Sequence, residues 1–452
     1  MEVRDPLHGA IQVSEAEGRV LDHPFVQRLR GIKQMGFSEL PFPGAVHSRY
    51  VHSVGCMELA GRAFDATFRR DPFTSAAKRS LYRQLVRVAA LGHDLGHAPF
   101  SHCTEFAMPP LRALGITAYA PERVHHRLDQ DASHEDYTVA ILTRSSLTEV
   151  IARAFPFTGH HVAALVSTEV AAPDDLYCDG GVDYRRVLSQ LISSELDVDR
   201  LDYLGRDSYF SGARYGQVDV NWILSSLDWF VDPHAAGGSV SLALDHRAIY
   251  AFDDFMIARY HMFVMVYFHH KSVVYEEMLK RHFTGPACTY RFPGDVEAYL
   301  GMDDIHLHSY LRASPDAWAR RIVERRPYRR ALEIHGTHEE VGTADAVARL
   351  HEAGIDTLAA SSTGKLSRYN VIGQKRERAP AIWVLQHAPG WEISAAPRPG
   401  ASPVRATPLE HATRIFERYQ DERHIARVYV PEDRVEEAQR ILALAPGEGK
   451  SS

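Results

Sequence analysis

The stretch that most narrows what this chain can become is 88–103, VAALGHDLGHAPFSHC, where an apolar run ends in three histidines, an aspartate and two glycines. Leu85, Val88, Ala89 and Gly92 recur at helical spacing, so the run should arrive as a buried helix that delivers His93 and Asp94 to the interior. An imidazole and a carboxylate are costly to bury unless they are paired, hydrogen-bonded or bound to a metal, which stabilises a neutral imidazole beside an ionised acid. His97 lies one turn beyond His93 if the helix continues, facing the same cavity. Gly96 and the Ala98-Pro99 step are expected to end that helix and swing His102 round as a separate wall. A satisfied core histidine with a hydrogen-bonded aspartate remains the plain alternative for so short a motif.

The length of 452 residues predicts a large core with an appendage. A net charge of −7 argues against a general nucleic-acid coat, so nucleic acid is a conceivable but not an expected partner. Cys56, Cys103, Cys178 and Cys288 lie far apart with no CxxC pair, which suggests neither a zinc ribbon nor a disulfide framework. They read as reduced, mostly buried thiols of a cytoplasmic protein. The charged start MEVRDPLHG has no apolar signal segment, and no stretch approaches the ~18 apolar residues of a membrane span.

Along the chain, Ser14 and Glu17 form a capping box, and Asp22-His23-Pro24 introduces an amphipathic helix through FVQRLRGIKQM. Its stripe is Phe25, Leu29, Ile32 and Met35, with Arg28, Arg30 and Lys33 off it as either a solvated face or a functional one. PFPGAVHSRYVHS is a loop opening into a helix near Val51, which puts Arg49 and His52 at a loop-to-helix junction. Ser133 should cap a helix with His134 in its first turn. Helices are expected near 147–155, 159–170 and 184–194, and then one over 194–212 dense in acids. There Asp199, Tyr203 and Asp207 share a face that is either a ligand row or a surface acid stripe.

A hairpin near 239–245 precedes the longest helical pattern, 247–283, apolar nearly all round in its middle and expected to be buried by its neighbours. Arg259 within it calls for an anion, carboxylate or phosphate. From about Ser314 the composition changes. An arginine arm at 320–330 is followed by strand-like ALEIHG, short strands near 355–360, 381–386 and 426–430, and helices at 407–419 and 431–444, with PRPGASP at 397–403 as a joint. The expected class is mainly α, a helical core at 1–325 with a smaller α+β unit at 326–452.

His52, then His93-Asp94, then Asp199 resembles the H…HD…D signature of the HD-domain metal phosphohydrolases. The words DPLHG, QRLRGIKQMG, FPGAVHSRYVHSVG, HDLGHAPFSH, SELDVDRLDYLGRD and RYHMFVMVYFHHK, with the pair His134-Glu135, are similar in order and spacing to the deoxynucleoside triphosphate triphosphohydrolases. The likeness extends to animal members with a sterile-alpha-motif domain and to bacterial ones, and runs from Asp5 to Lys271.

The resemblance implies a divalent metal (Mn, Mg, Fe or Zn) on His52, His93, Asp94 and Asp199, and hydrolysis of a dNTP to deoxynucleoside and inorganic triphosphate. It also implies His102 as general acid with Glu105 holding its tautomer, and His97 and His134 against the α-phosphate. Arg49, Arg200 and Arg259 would hold the triphosphate, Gln34 and Asp207 the 3′-hydroxyl, while Tyr203 and Tyr267 press on the sugar and exclude a 2′-hydroxyl. Another HD chemistry on nucleotides or single-stranded nucleic-acid ends, or a nucleotide- or RNA-binding regulator with a vestigial site, are the alternatives.

Family likeness further implies a homo-oligomer, dimer or tetramer, with the C-terminal unit regulating or assembling it. An activating nucleotide would be read by Asp22, Gln27 and Arg30. The phosphate side of that second site departs from the family pattern. The chain begins where an upstream lysine would lie, and His270 stands for a downstream one, with Lys271 one place off. Activity that is constitutive, or only weakly raised by dGTP or GTP, is the expectation.

Overall fold

A computed structural model describes residues 1–231, 239–336, 342–364, 382–387, 405–418 and 423–443. Its axis is the helix Arg49–Thr67, which is buried along most of its length and packs against the helix Ala76–Gly92 and across the helix Val198–Ser211. Ser75 caps the second of these by accepting from the Lys78 amide, and Tyr82, Leu85, Val86, Val88 and Ala89 point into the core. The mainly helical class expected from the sequence is the one observed.

The N-terminus forms an antiparallel hairpin, Glu2–Asp5 with Gly9–Gln12, whose turn closes at Gly9 with φ +72°. The Ser14–Glu17 capping box forms. The helix expected through Met35 stops much earlier: Pro24–Arg28 is α-helical, Leu29–Gly31 is a 3-10 turn, and Ile32 is extended. The apolar stripe is nevertheless buried, because Phe25, Leu29, Ile32 and Met35 still face one core. Arg28 is not on a solvated face. It is buried, donates to the carbonyls of Leu95, His97 and Met302, and lies over the Tyr299 ring, bracing the histidine segment from below.

The helix carrying HD ends at Gly92 with His93 as its C-cap, so His97 is not on a continuing helix. Beyond His93 the chain runs in turns packed against the start of the helix His134–Arg144. A Cβ on Gly96 would lie 2.0 Å from the His134 carbonyl oxygen and 2.4 Å from the Thr138 nitrogen, so this approach of two backbones requires glycine.

The pattern at 247–283 is two helices, Ile249–Met262 and His270–Thr284, separated by a five-residue π-helical turn, Phe263–Tyr267. It is also less enclosed than expected, with Tyr250 78% and Met265 48% exposed. The extra residue in a π-turn rotates every later side chain about the helix axis, and here it coincides with Tyr267.

The strand Val240–Asp245 pairs with Leu227–Val231; the residues joining them lie outside the described ones. On its other edge it pairs in parallel with Trp383–Gln386, which pairs with Arg405–Pro408. A second sheet sets Arg423–Val430 between Arg329–Gly336 and Leu358–Gly364, covered by the helices Ala344–Glu352 and Val435–Ala443 around a small core of Leu350, Ile355, Val428 and Val430. The 326–452 stretch thus has a core of its own but also completes a sheet begun before residue 250. The arginines at 320–330 do not form one arm. Arg329 and Arg330 sit on a strand, paired with Glu432 and Glu333. The 397–403 joint lies outside the described residues.

All four cysteines are free, Cys56 and Cys288 buried but Cys178 exposed. Among the described residues no helix is long and apolar enough to cross a membrane.

Candidate metal centre and active site

Four side chains converge from three segments. His52 comes from the first turn of Arg49–Thr67, His93 and Asp94 from the end of Ala76–Gly92, and Asp199 from the first turn of Val198–Ser211. His52 Nε2 lies 3.0 Å from Asp199 Oδ1 and 3.6 Å from Asp94 Oδ2, while His93 Nε2 lies 3.3 Å from Asp94 Oδ1 and 3.5 Å from Asp199 Oδ1. Donors bound at roughly 2.1 Å to one ion stand roughly 3.0–3.5 Å from their neighbours, so these spacings fit a chelate.

His93 Nδ1 donates to the Ala90 carbonyl, and its Nε2 is buried with no hydrogen-bond partner among the described residues. Desolvation would raise both carboxyls, but His93, Arg49 and His97 around Asp94, and His52 and His93 around Asp199, hold them well below the usual range. Two ionised carboxylates, an orphaned imidazole nitrogen and a second imidazole make a donor set suited to a divalent cation.

The ring of His52 is gripped from both sides by one helix. Asp199 faces Nε2, and Asp202, one turn on, accepts from Nδ1 at 2.8 Å. Cys56 Sγ stands 3.5 Å from Nδ1 and 3.6 Å from Nε2, over the ring rather than in its plane.

A second cluster gathers His97, His102 and His134. Phe100 and Ser101 both have positive φ, an uncommon pair for residues with side chains. The left-handed step is held by Asp304 on the Phe100 amide and by Ser101 Oγ, which donates to the Lys33 carbonyl and accepts from Arg49 Nε. It turns the chain so that His102 stands edge-on to His97 with ring centres 4.8 Å apart. His97 and His134 stack in parallel at 3.9 Å. Parallel rings aim their in-plane lone pairs side by side rather than at a point, so this trio is a poor chelate.

Glu105 accepts from His102 Nδ1 at 2.9 Å and also holds His134 through ring Nδ1 and backbone amide. Burial and the nearby Arg49 cation push His97 well below an ordinary histidine, whereas at His134 the Glu105 carboxylate overcomes desolvation and raises it. The stack therefore sets a ring that gives up its proton readily against one that holds its proton more tightly. His102 is the exposed member, its side chain 61% accessible.

Arg49 reaches Asp94 at 2.5 Å. The anion that Arg259 calls for is a carboxylate: Glu195 accepts from Arg259 at 2.9 Å and lies 3.3 Å from Arg200. Along the Val198–Ser211 face, Tyr203 stands 6.5 Å ring to ring from Tyr267, and Asp207 accepts from the Tyr267 hydroxyl at 2.7 Å and from His47 at 2.8 Å. Gln34 Oε1 is buried with no hydrogen-bond partner among the described residues. Asp22, Gln27 and Arg30 lie apart from this cluster at the first helices. Arg30 donates to Gln27 and lies over the Tyr50 ring at 3.5 Å.

Sequence reasoning assigned no role to Asp202, His8, His47, Ser101 or Glu195. Asp202 and Glu195 had a signal in their placement beside Asp199 among apolar residues, whereas His8 and His47 needed the tertiary fold.

Residues 49–207 match the HD domain, and residues 235–363 match the HD associated region. The uncharacterized protein YwfO of Bacillus subtilis is 29% identical over 422 residues, covering 86% of each chain. Deoxynucleoside triphosphate triphosphohydrolase SAMHD1 of Gallus gallus is 26% identical over 355 residues, 73% of this chain and 54% of its own length. The chain spans between 33% and 59% of the length of seven of the curated relatives it matches. A hypothetical protein from Aquifex aeolicus, 24% identical, has the same fold with a TM-score of 0.71 over 98% of this chain and 99% of its own.

Proposed function

Because the chain belongs to the HD-domain family of metal-dependent phosphohydrolases, we propose that it hydrolyses deoxynucleoside triphosphates to the deoxynucleoside and inorganic triphosphate. The observation that carries the reading is the row Asp199, Tyr203, Asp207 on one helix face. It has metal donors at one end and a carboxylate–tyrosine pair fit for a sugar hydroxyl two turns away.

His52, His93, Asp94 and Asp199 would hold a divalent ion. When bound, such an ion supplies charge neutralisation at the phosphate and a more acidic water. His102 is the group that donates a proton to the departing 5′-oxygen; it is exposed toward solvent, as a group that must be reprotonated requires, and Glu105 on Nδ1 leaves Nε2 as the donating atom. His134, stacked on His97 and biased by Glu105 toward its protonated form, offers positive charge where the α-phosphate develops negative charge. Arg49, Arg200 and Arg259 exchange carboxylate partners for phosphate oxygens. The buried, unpartnered Gln34 oxygen and Asp207 receive the 3′-hydroxyl, and Tyr203 with Tyr267 fills the space a 2′-hydroxyl would need.

The test is to supply each dNTP with Mn2+ or Mg2+ and analyse the products. Intact inorganic triphosphate is expected. Monophosphate with pyrophosphate, or no turnover with any nucleotide and metal, would overturn the reading.

A further inference from the structure

The hairpin at the start of the chain reaches the metal cluster through a buried carboxylate. Asp202 has no solvent exposure and four donors. Its Oδ2 accepts from His52 Nδ1 at 2.8 Å and from Arg206 Nε at 2.7 Å; its Oδ1 accepts from Arg206 Nη2 at 2.9 Å and from His8 Nε2 at 2.6 Å.

The side-on guanidinium of Arg206 fixes the plane of the carboxylate. His8 fills the remaining position on Oδ1, so Oδ2 is the oxygen left for His52. Asp5 completes the arrangement from the same turn as His8. One of its oxygens accepts from the Leu7 and His8 amides, and the other from Arg206 Nη1 at 2.8 Å. All of these groups are buried or nearly so, with the His8 side chain 9% exposed.

We propose that His8 is a positioning residue of the metal centre, acting through Asp202 to keep the proton of His52 on Nδ1 and the lone pair of Nε2 aimed at the space between Asp94 and Asp199. The inference rests on the assignment of His52 as a metal ligand. A ligating imidazole binds best when its other nitrogen donates to a fixed carboxylate, and loss of such outer partners typically weakens metal affinity 10–100-fold. Without His8, one lone pair of Asp202 Oδ1 is left dry, and the Asp202–Arg206 pair can shift toward the vacated position or admit a trapped water, which loosens the hold of Oδ2 on His52. The ring then loses the constraint that sets its direction, although all four ligands are still present. A merely structural role for His8 would alter stability and leave ion affinity alone.

The experiment titrates the full chain with Co2+ and Mn2+ for the parent, His8→Ala and His8→Gln, with thermal melts alongside. His8→Ala is expected to bind each ion at least 10-fold more weakly while remaining folded. His8→Gln, which keeps a donor at similar reach, is expected to recover most of the affinity. In the Zn2+-loaded parent, nitrogen NMR of the His52 ring is expected to find the proton on Nδ1. Affinity for His8→Ala within twofold of the parent, or a His52 proton on Nε2, overturns the proposal while leaving the metal site standing. If the parent itself binds none of these ions, the metal reading falls and this inference with it. Should His8→Ala fail to fold, His8→Gln and the ring measurement decide.

Discussion

Tyr267 donates its hydroxyl to Asp207 at 2.7 Å from the last position of the π-helical turn, the point where an otherwise continuous helical pattern is interrupted. A straight helix through 263–267 would carry Tyr267 round to another face. The wide turn therefore sets the sugar side of the proposed site. Replacing Tyr267 with alanine is expected to raise kcat/KM for ribonucleotides relative to deoxynucleotides by about 10-fold, within the range that loss of a steric or hydroxyl contact produces. Parallel initial-rate measurements on dNTP and NTP decide it, and an unchanged ratio would assign the exclusion to another side chain.

Glu105 serves two histidines at once, so Glu105→Gln should disturb both. It withdraws the carboxylate that raises the His134 pKa and loosens the orientation of His102. A loss of about 10²-fold in kcat with little change in KM is expected, the size usual for a misoriented proton donor. A variant that lost affinity for substrate but not rate would place Glu105 in binding instead.

Asp199→Ala and His93→Ala each delete one of the inferred donors, and His93 Nε2 has no hydrogen-bond partner among the described residues. Both variants should purify without bound metal, hydrolyse nothing and keep a near-parental melting profile. Elemental analysis checks this, and full metal content in either would strike that residue from the ligand set.

The convergence of these inferred donors was legible because they sit where helical periodicity meets polar residues that a core does not tolerate alone: His93-Asp94 at the end of an apolar run, and Asp199 on a leucine and tyrosine framework. The helices around them followed from spacing and caps, as with Ser14 and Ser133. What could not be read was set by tertiary contacts. Arg28 looks like a solvated cation until the Leu95, His97 and Met302 carbonyls surround it. Nothing local in 247–283 announces a π-turn, because its residues suit a helix equally well. The pairing of Trp383–Gln386 with Val240–Asp245 joins segments too far apart for any pattern to link.

Glu276 gives the fold a pH-dependent contribution. Burial pushes its carboxyl up to about 7, and the Cys103 thiol at 3.7 Å compensates only in part. Its folded value exceeds the unfolded one near 4.5, so the proton-linked stabilisation is fully present below about 4.5 and is lost as pH rises through 7. Glu276→Gln should therefore be more stable than the parent at pH 8, by about 2 kcal/mol, with the difference vanishing toward pH 5. Urea unfolding at pH 5, 7 and 8 measures it; a difference independent of pH would exclude the carboxyl as its source.

Arg30 lies over Tyr50, the neighbour of Arg49, which contacts Asp94. A nucleotide drawing Arg30 and Gln27 outward would thus act one residue from Arg49, a proposed substrate ligand. Weak activation by dGTP or GTP, reduced severalfold by Arg30→Ala, is expected when the rate on a second dNTP is followed with and without effector. A strict requirement for effector that survives Arg30→Ala would place the activating site elsewhere.

The parallel pairing of Val240–Asp245 with Trp383–Gln386 also bears on how the chain can be divided. Expressed without the residues after 325, the helical part would keep its ligands but present the backbone N–H and C=O groups of an apolar strand to solvent along one edge. Such an edge recruits other strands. The natural seam in the sequence is therefore a poor place to cut: a fragment ending there should self-associate through that edge, and its loss of activity would report aggregation rather than a catalytic part for the missing piece.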